Sequence, residues 1–227
     1  MTGLTHHATG LNRLLRPVQS GADWRDTAII GGPLEDDGVL ADGFIHAADI
    51  LVKHWKRSRP NDALVLPILA NYRHSIELAL KDGIRGAATC VRRDGHNDPE
   101  LCPDVMNNQL SRTHSIGRLV EILNSLLGLL DLGADNQLPA DTREVLDSLH
   151  LLDDSGQSLR YSTVKTGKGK SKKLERARAD QQNFDLVRVA STLHEAATLL
   201  LHGVTGVLGQ YEEWQAEMRQ EYGDYYS

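Results

Sequence analysis

Aromatic side chains make up only 5% of the 227 residues, with two Phe among them. A sheet sandwich draws heavily on aromatic and β-branched residues, so a chain poor in aromatics and rich in Leu, Ala and Ile favours helices packed on helices. Cysteine is almost absent. Cys90 and Cys102 are the only two, too few for a zinc site. With no basic region and apolar core at the Met-Thr-Gly-Leu-Thr-His-His start, they are expected to be reduced thiols of a cytoplasmic protein. An excess of positive charge is also missing. The formal charge is -6, which gives no global drive toward nucleic acid or anionic membrane, so such a partner would have to meet a local patch. The most apolar stretch, Ala196 to Leu208, is broken by Thr, His and Gly and is too short to span a bilayer, so no membrane partner is expected. There is no Gly-x-Ser-x-Gly elbow, His-Glu-x-x-His helix or dinucleotide fingerprint. Hydrolase, metalloprotease and dehydrogenase chemistry therefore lack a foothold, and no cofactor is expected.

What remains is a run of helical patterns. Residues 1–39, with Arg16-Pro17, the Gly31-Gly-Pro33 breaker and the acidic Glu35-Asp-Asp37, read as a loosely structured arm. Asp42 is placed to cap a helix through Ile45, Ala48, Leu51 and Trp55, ending at Lys53-His-Trp-Lys-Arg57. Asn61 or Asp62 caps a central helix that the pattern ends near Gly83 or Gly86. Residues 86–112 then read as a long connection or a broken helix. A strongly apolar helix follows from Thr113 or Ser115 to about Leu130, and a shorter one over 141–152 enters through Pro139. The last long helix starts near Asn183 and runs past Leu208, with a charged extension over 211–227. The expectation is an all-α, up-and-down bundle of about five helices over residues 40–210, with a basic loop, at most a small hairpin, before the last long helix.

The central helix carries an unusual density of ionisable groups. Arg73, Glu77 and Lys81 are each four residues from the next and share a stripe, with His74 beside it. Charges on a largely apolar helix need partners. The candidates are His114, in Arg112-Thr-His-Ser115, and Arg160-Tyr161, in Asp153-Asp-Ser-Gly-Gln-Ser-Leu-Arg-Tyr161. Two roles are open to this set. Converging on a pocket, an Arg and a His could hold a phosphate, with His as acid or base and Glu77 orienting a cation. Converging on each other, the same groups form an ion-pair network that fixes helix register.

Two other stretches stand out. Lys165, Lys168, Lys170, Lys172 and Lys173 place five lysines in nine residues without a carboxylate. Such a loop is either a phosphate-contacting arm or a solvated surface segment, and it has no interleaved aromatics to stack on bases. On the last helix, Arg188 and His194 are six apart, not quite on one face. A carboxylate-bridged metal site would need Glu-x-x-His on two helices, and only the reversed His74-x-x-Glu77 occurs, so no metal is expected.

Three segments, Tyr72-Arg-His-Ser-Ile-Glu-Leu-Ala-Leu-Lys81, Thr113-His-Ser-Ile-Gly-Arg-Leu119 and Asp154-Ser-Gly-Gln-Ser-Leu-Arg-Tyr161, resemble a group of bacterial HEPN-like proteins (higher-eukaryote and prokaryote nucleotide-binding helical domains). The resemblance covers about residues 60–205 in its spacing. It implies a helical bundle that often dimerises, and links to host defence, toxin–antitoxin pairs or RNA cleavage. Catalytic members use an Arg and a His four to six residues apart on a late helix, paired across a dimer, to cut RNA without metal. Arg188 and His194 match that spacing, but Val189 stands where nucleases usually carry a polar residue. The adjacent Arg73-His74 pair does not match the nuclease motif. The resemblance thus implies a homodimeric RNA- or nucleotide-binding protein and a metal-independent ribonuclease activity. The alternative is a non-catalytic helical interaction protein whose Arg/His/Glu cluster is structural.

Overall fold

A computed structural model of the chain describes residues 20–21, 23–33, 35–58, 61–130, 132–133, 137–166 and 173–225, with side chains to 221. Residues 1–19 of the expected arm lie outside the described residues. The chain divides into two units, Met1–Glu35 and Asp36–Ser227. The described part of the first holds one 3₁₀ turn, Trp24–Asp26, capped by the Asp23 carboxylate, which accepts from the Arg25 amide.

The second unit is all-α apart from one small hairpin. Its helices are α1 (Asp37–Arg57), α2 (Val65–Arg93), α3 (Pro103–Arg112), α4 (Ile116–Leu127), α5 (Ala140–Leu152), α6 (Leu186–Thr198) and α7 (Thr205–Tyr225). A π-helical turn, Leu199–Val204, joins α6 to α7, so the last two form one continuous rod. The hairpin pairs β1 (Thr163–Thr166) with β2 (Lys173–Arg176), antiparallel, with Thr163 opposite Arg176. This is the helical bundle that the composition favours. Among the described residues no helix is long and apolar enough to cross a membrane.

Helix α2 is the axis of the bundle. It packs against α1, α4, α6, the π turn and α7, and 17 of its 29 residues are buried. The expected end at Gly83 or Gly86 does not occur; α2 runs on to Arg93. Both glycines are spacers. A methyl group on Gly83 would stand 3.2 Å from Val204 Cγ1, and one on Gly86 3.2 Å from Leu208 Cδ1. The last helix rests on the glycine backbone, and the helical frame tolerates each Gly at a cost of about 1 kcal/mol. The 86–112 segment is correspondingly ordered. After α2 it forms a 3₁₀ turn, Pro99–Leu101, capped by Asp98, and then α3.

The caps also shift. Asp36, not Asp42, caps α1, its carboxylate accepting from the Val39 amide at 2.8 Å. Neither Asn61 nor Asp62 caps α2 directly: Asn61 makes no side-chain cap, and the 3₁₀ turn Asp62–Leu64 leads in. Ser115 caps α4. Helical structure continues through 211–225, and Gln215 there is buried, donating to the Cys90 carbonyl at 2.8 Å and to Asp94 at 2.7 Å.

Two glycines of opposite role give a paired test. Gly83→Val overfills the α2–π-turn contact and should lower stability by about 1–3 kcal/mol. Gly43→Ala, within α1 and facing open space, should raise it by about 0.5–1 kcal/mol. Urea unfolding midpoints read both, and equal effects would mean that Gly83 is no spacer.

Candidate functional site

The i, i+4 stripe on α2 places Arg73, Glu77 and Lys81 in line, and the fold buries all three. Glu77 receives three donors. Arg73 Nη1 donates to Oε2 at 2.8 Å, Lys81 Nζ to Oε1 at 2.8 Å, and His114 Nδ1 lies 2.9 Å from Oε1. Arg73 then reaches outward. Its Nη2 donates to the His114 carbonyl at 2.6 Å, and its Nε sits 3.3 Å from Asp153 Oδ2 and donates to the Asp153 carbonyl. Two cations and two carboxylates, with His114 alongside, balance within one buried cluster.

Asp153 was not among the residues that the sequence singled out, and it organises the loop after α5. Its Oδ1 accepts from the Ser158 amide at 2.9 Å, and Oδ2 from that of Leu159. The turn needs Gly156, whose φ of +73° is left-handed. A methyl there would also stand 2.9 Å from Arg73 Nη1. The guanidinium therefore lies flat against a glycine, which no other residue could replace without strain.

Burial alone would raise the carboxyl of Glu77, but hydrogen bonds from Lys81, His114 and Arg73 outweigh it and hold it down at about 2. Burial lowers the His74 imidazole below its ordinary value; Glu77 pulls the other way, and Arg160, Arg73 and Lys81 push it down again. His74 is thus neutral near pH 7.

His74 and Arg160 are not part of the ladder. They line a pocket of about 330 Å³ next to it, together with Phe44, Pro67, Ala70 and Asn71. The Phe44 and His74 rings meet edge to face, 4.4 Å apart. Arg160 Nε donates to the Gly156 carbonyl. Tyr161 does not join either group: the residue is 58% exposed, and its amide donates to the Gln157 carbonyl.

The late-helix pair separates. Arg188 lines a groove between α5 and α6, whereas His194 Nδ1 lies 3.2 Å from Asp49 Oδ1 on α1. The same Asp49 oxygen accepts from the buried Tyr72 hydroxyl at 2.6 Å, and burial with this carboxylate pushes the phenol up. Lys165 and Lys173 are exposed on the hairpin; Lys168, Lys170 and Lys172 lie outside the described residues. Among the described residues no three His, Cys, Asp or Glu groups are arranged to hold a metal ion.

Fold and site together define a helical protein with a charge-balanced internal brace beside a small pocket. No family model matches the chain, and no curated protein or solved structure does so either.

The ladder makes an acid-stability prediction. The native state favours the ionised form of Glu77, so its contribution is complete above about pH 4.5, its ordinary value, and drains away as pH falls toward about 2. Glu77→Gln should cost roughly 3–5 kcal/mol at pH 7 and flatten the loss of stability between those pH values in urea titrations. Parallel pH profiles for the two proteins would rule out this role for Glu77.

Proposed function

We propose that the chain is a HEPN-like helical protein that binds RNA or a nucleotide. One observation carries the reading. The basic hairpin grows directly out of the loop that walls the pocket, and its base is clamped there. The Ala177 amide donates to the Ser162 carbonyl, and Arg178 donates to the carbonyls of Ser158 and Tyr161. From Lys165 to Arg178 the sequence has seven Lys and Arg against one Glu. A local patch of that sign, on a protein of net negative charge, suits a phosphate backbone and is anchored next to a pocket with its own arginine.

Homodimerisation, a defence role and metal-independent cleavage are what the resemblance adds to this proposal. The geometry favours binding over cleavage. Arg73, Glu77 and His114 are engaged with one another, and Arg188 and His194 face different neighbours within one chain. The balanced, buried ladder also favours a second reading, a non-catalytic interaction protein in which the cluster is bracing alone.

A gel shift with mixed RNA separates the two. Binding should weaken at least tenfold from about 50 to 200 mM salt. Replacing Lys165, Lys168, Lys170, Lys172 and Lys173 with Gln should abolish it while leaving the thermal transition in place. No binding at the lower salt, or weak binding indifferent to salt and to the five substitutions, would leave the interaction-protein reading standing.

A further inference from the structure

The pocket beside the ladder holds polar groups that nothing else in the fold uses. Asn71 Nδ2 donates to the Pro67 carbonyl, which leaves Oδ1 without a partner among the described residues. The His74 ring nitrogens make no hydrogen bond there, its ring contact being with Phe44. Arg160 donates through Nε to Gly156, and its two terminal amino groups have no partner among the described residues. These three face the same pocket. Phe44, Pro67, Ala70 and Leu159 give it apolar walls, and Arg73 and Asp153, already paired with each other in the ladder, close it on one side. A mostly apolar hollow with a few convergent, unengaged polar groups is the character of a small-molecule subsite, and about 330 Å³ is near the small end of the range for such sites.

The chemistry of the groups narrows the occupant. Phe44 and a neutral His74 form an aromatic corner for a flat ring, and π-faces of this kind accept any base. The Asn71 carbonyl oxygen and the His74 nitrogens offer hydrogen bonds to a base edge. At the mouth, the exposed Arg160 guanidinium presents its fork to a phosphate. The aromatics that the lysine loop lacks are supplied here by α1 and α2. A base pair is too wide for a hollow of this size, whereas one nucleotide fits. We infer that the pocket takes a single unpaired nucleotide, with its base against Phe44 and His74 and its phosphate on Arg160. The inference rests on the nucleotide-binding reading and adds that the base must be free of its complement, either in a single strand or in a free mononucleotide.

The test uses the full chain, a labelled eight-nucleotide single-stranded RNA, the duplex of the same sequence, and free 5′-mononucleotides. Fluorescence anisotropy should show the single strand binding at least tenfold tighter than the duplex. Ala70→Leu fills the pocket without touching a charge. It should bring that ratio close to one and keep the salt dependence of duplex binding, which belongs to the hairpin. Arg160→Ala, an exposed substitution, should do the same and serves if Ala70→Leu loses its thermal transition. Mononucleotides should compete with the single strand for the wild type and not for either variant. Equal binding of both RNAs by the wild type, or a preference that survives both substitutions, overturns the pocket inference and leaves the hairpin reading intact. If no RNA binds but a mononucleotide raises the melting temperature of the wild type alone, the pocket inference stands and the RNA reading falls. If neither binds, both are overturned.

Discussion

A single buried carboxylate holds this protein's parts in register. Glu77 sits inside the bundle where burial works against its charge, and its two oxygens are met by Arg73, Lys81 and His114, which hold it in the ionised form. Once Glu77 has fixed one edge of the Arg73 guanidinium, the other edges are committed as well. They point at the carbonyl of His114, at the start of α4, and at Asp153, at the end of α5. Apolar residues of equal volume could hold the helices as tightly, and buried ion pairs are poor sources of net stability. They would not dictate where the loop after α5 docks. The pocket and the hairpin inherit their positions from that docking.

The helical frame was legible because its signal is local. Period 3.6 and a shortage of aromatics indicate a helical bundle. The misreadings arose where one residue type has two physical uses. Gly83 and Gly86 look like breakers in sequence, but their lack of a side chain serves a neighbouring helix more than a hundred residues away. Asp36 and Asp42 are both plausible caps. The choice between them depends on where α1 begins.

The site shows the same division. Arg73, Glu77 and Lys81 could be read directly from the i, i+4 spacing, and His114 and Arg160 from their motifs. Asp153 and Asp49 could not, since their partners lie far off: Asp153 meets a residue 80 positions away, and Asp49 meets His194 across 145. The spacing of Arg188 and His194 carries its own explanation. Six positions at about 100° each turn the helix well away from its starting face, so the two side chains meet different neighbours.

The central placement of α2 has a consequence for how the chain reaches this structure. As far as Arg85, which pairs with Asp37, it can pack on α1 as soon as both have been made, but its last two turns wait for a much later segment. Gln215 joins Cys90 across 125 positions, and Tyr211 joins Asp94 across 117. Closing loops of that length sets an entropic barrier that local helix formation does not lower. A growing chain therefore carries a partly covered apolar helix until more than a hundred further residues have been made, and the Gly83–Gly86 surface stays open until Val204 and Leu208 reach it. The end of α2 is covered only once the last rod docks on it.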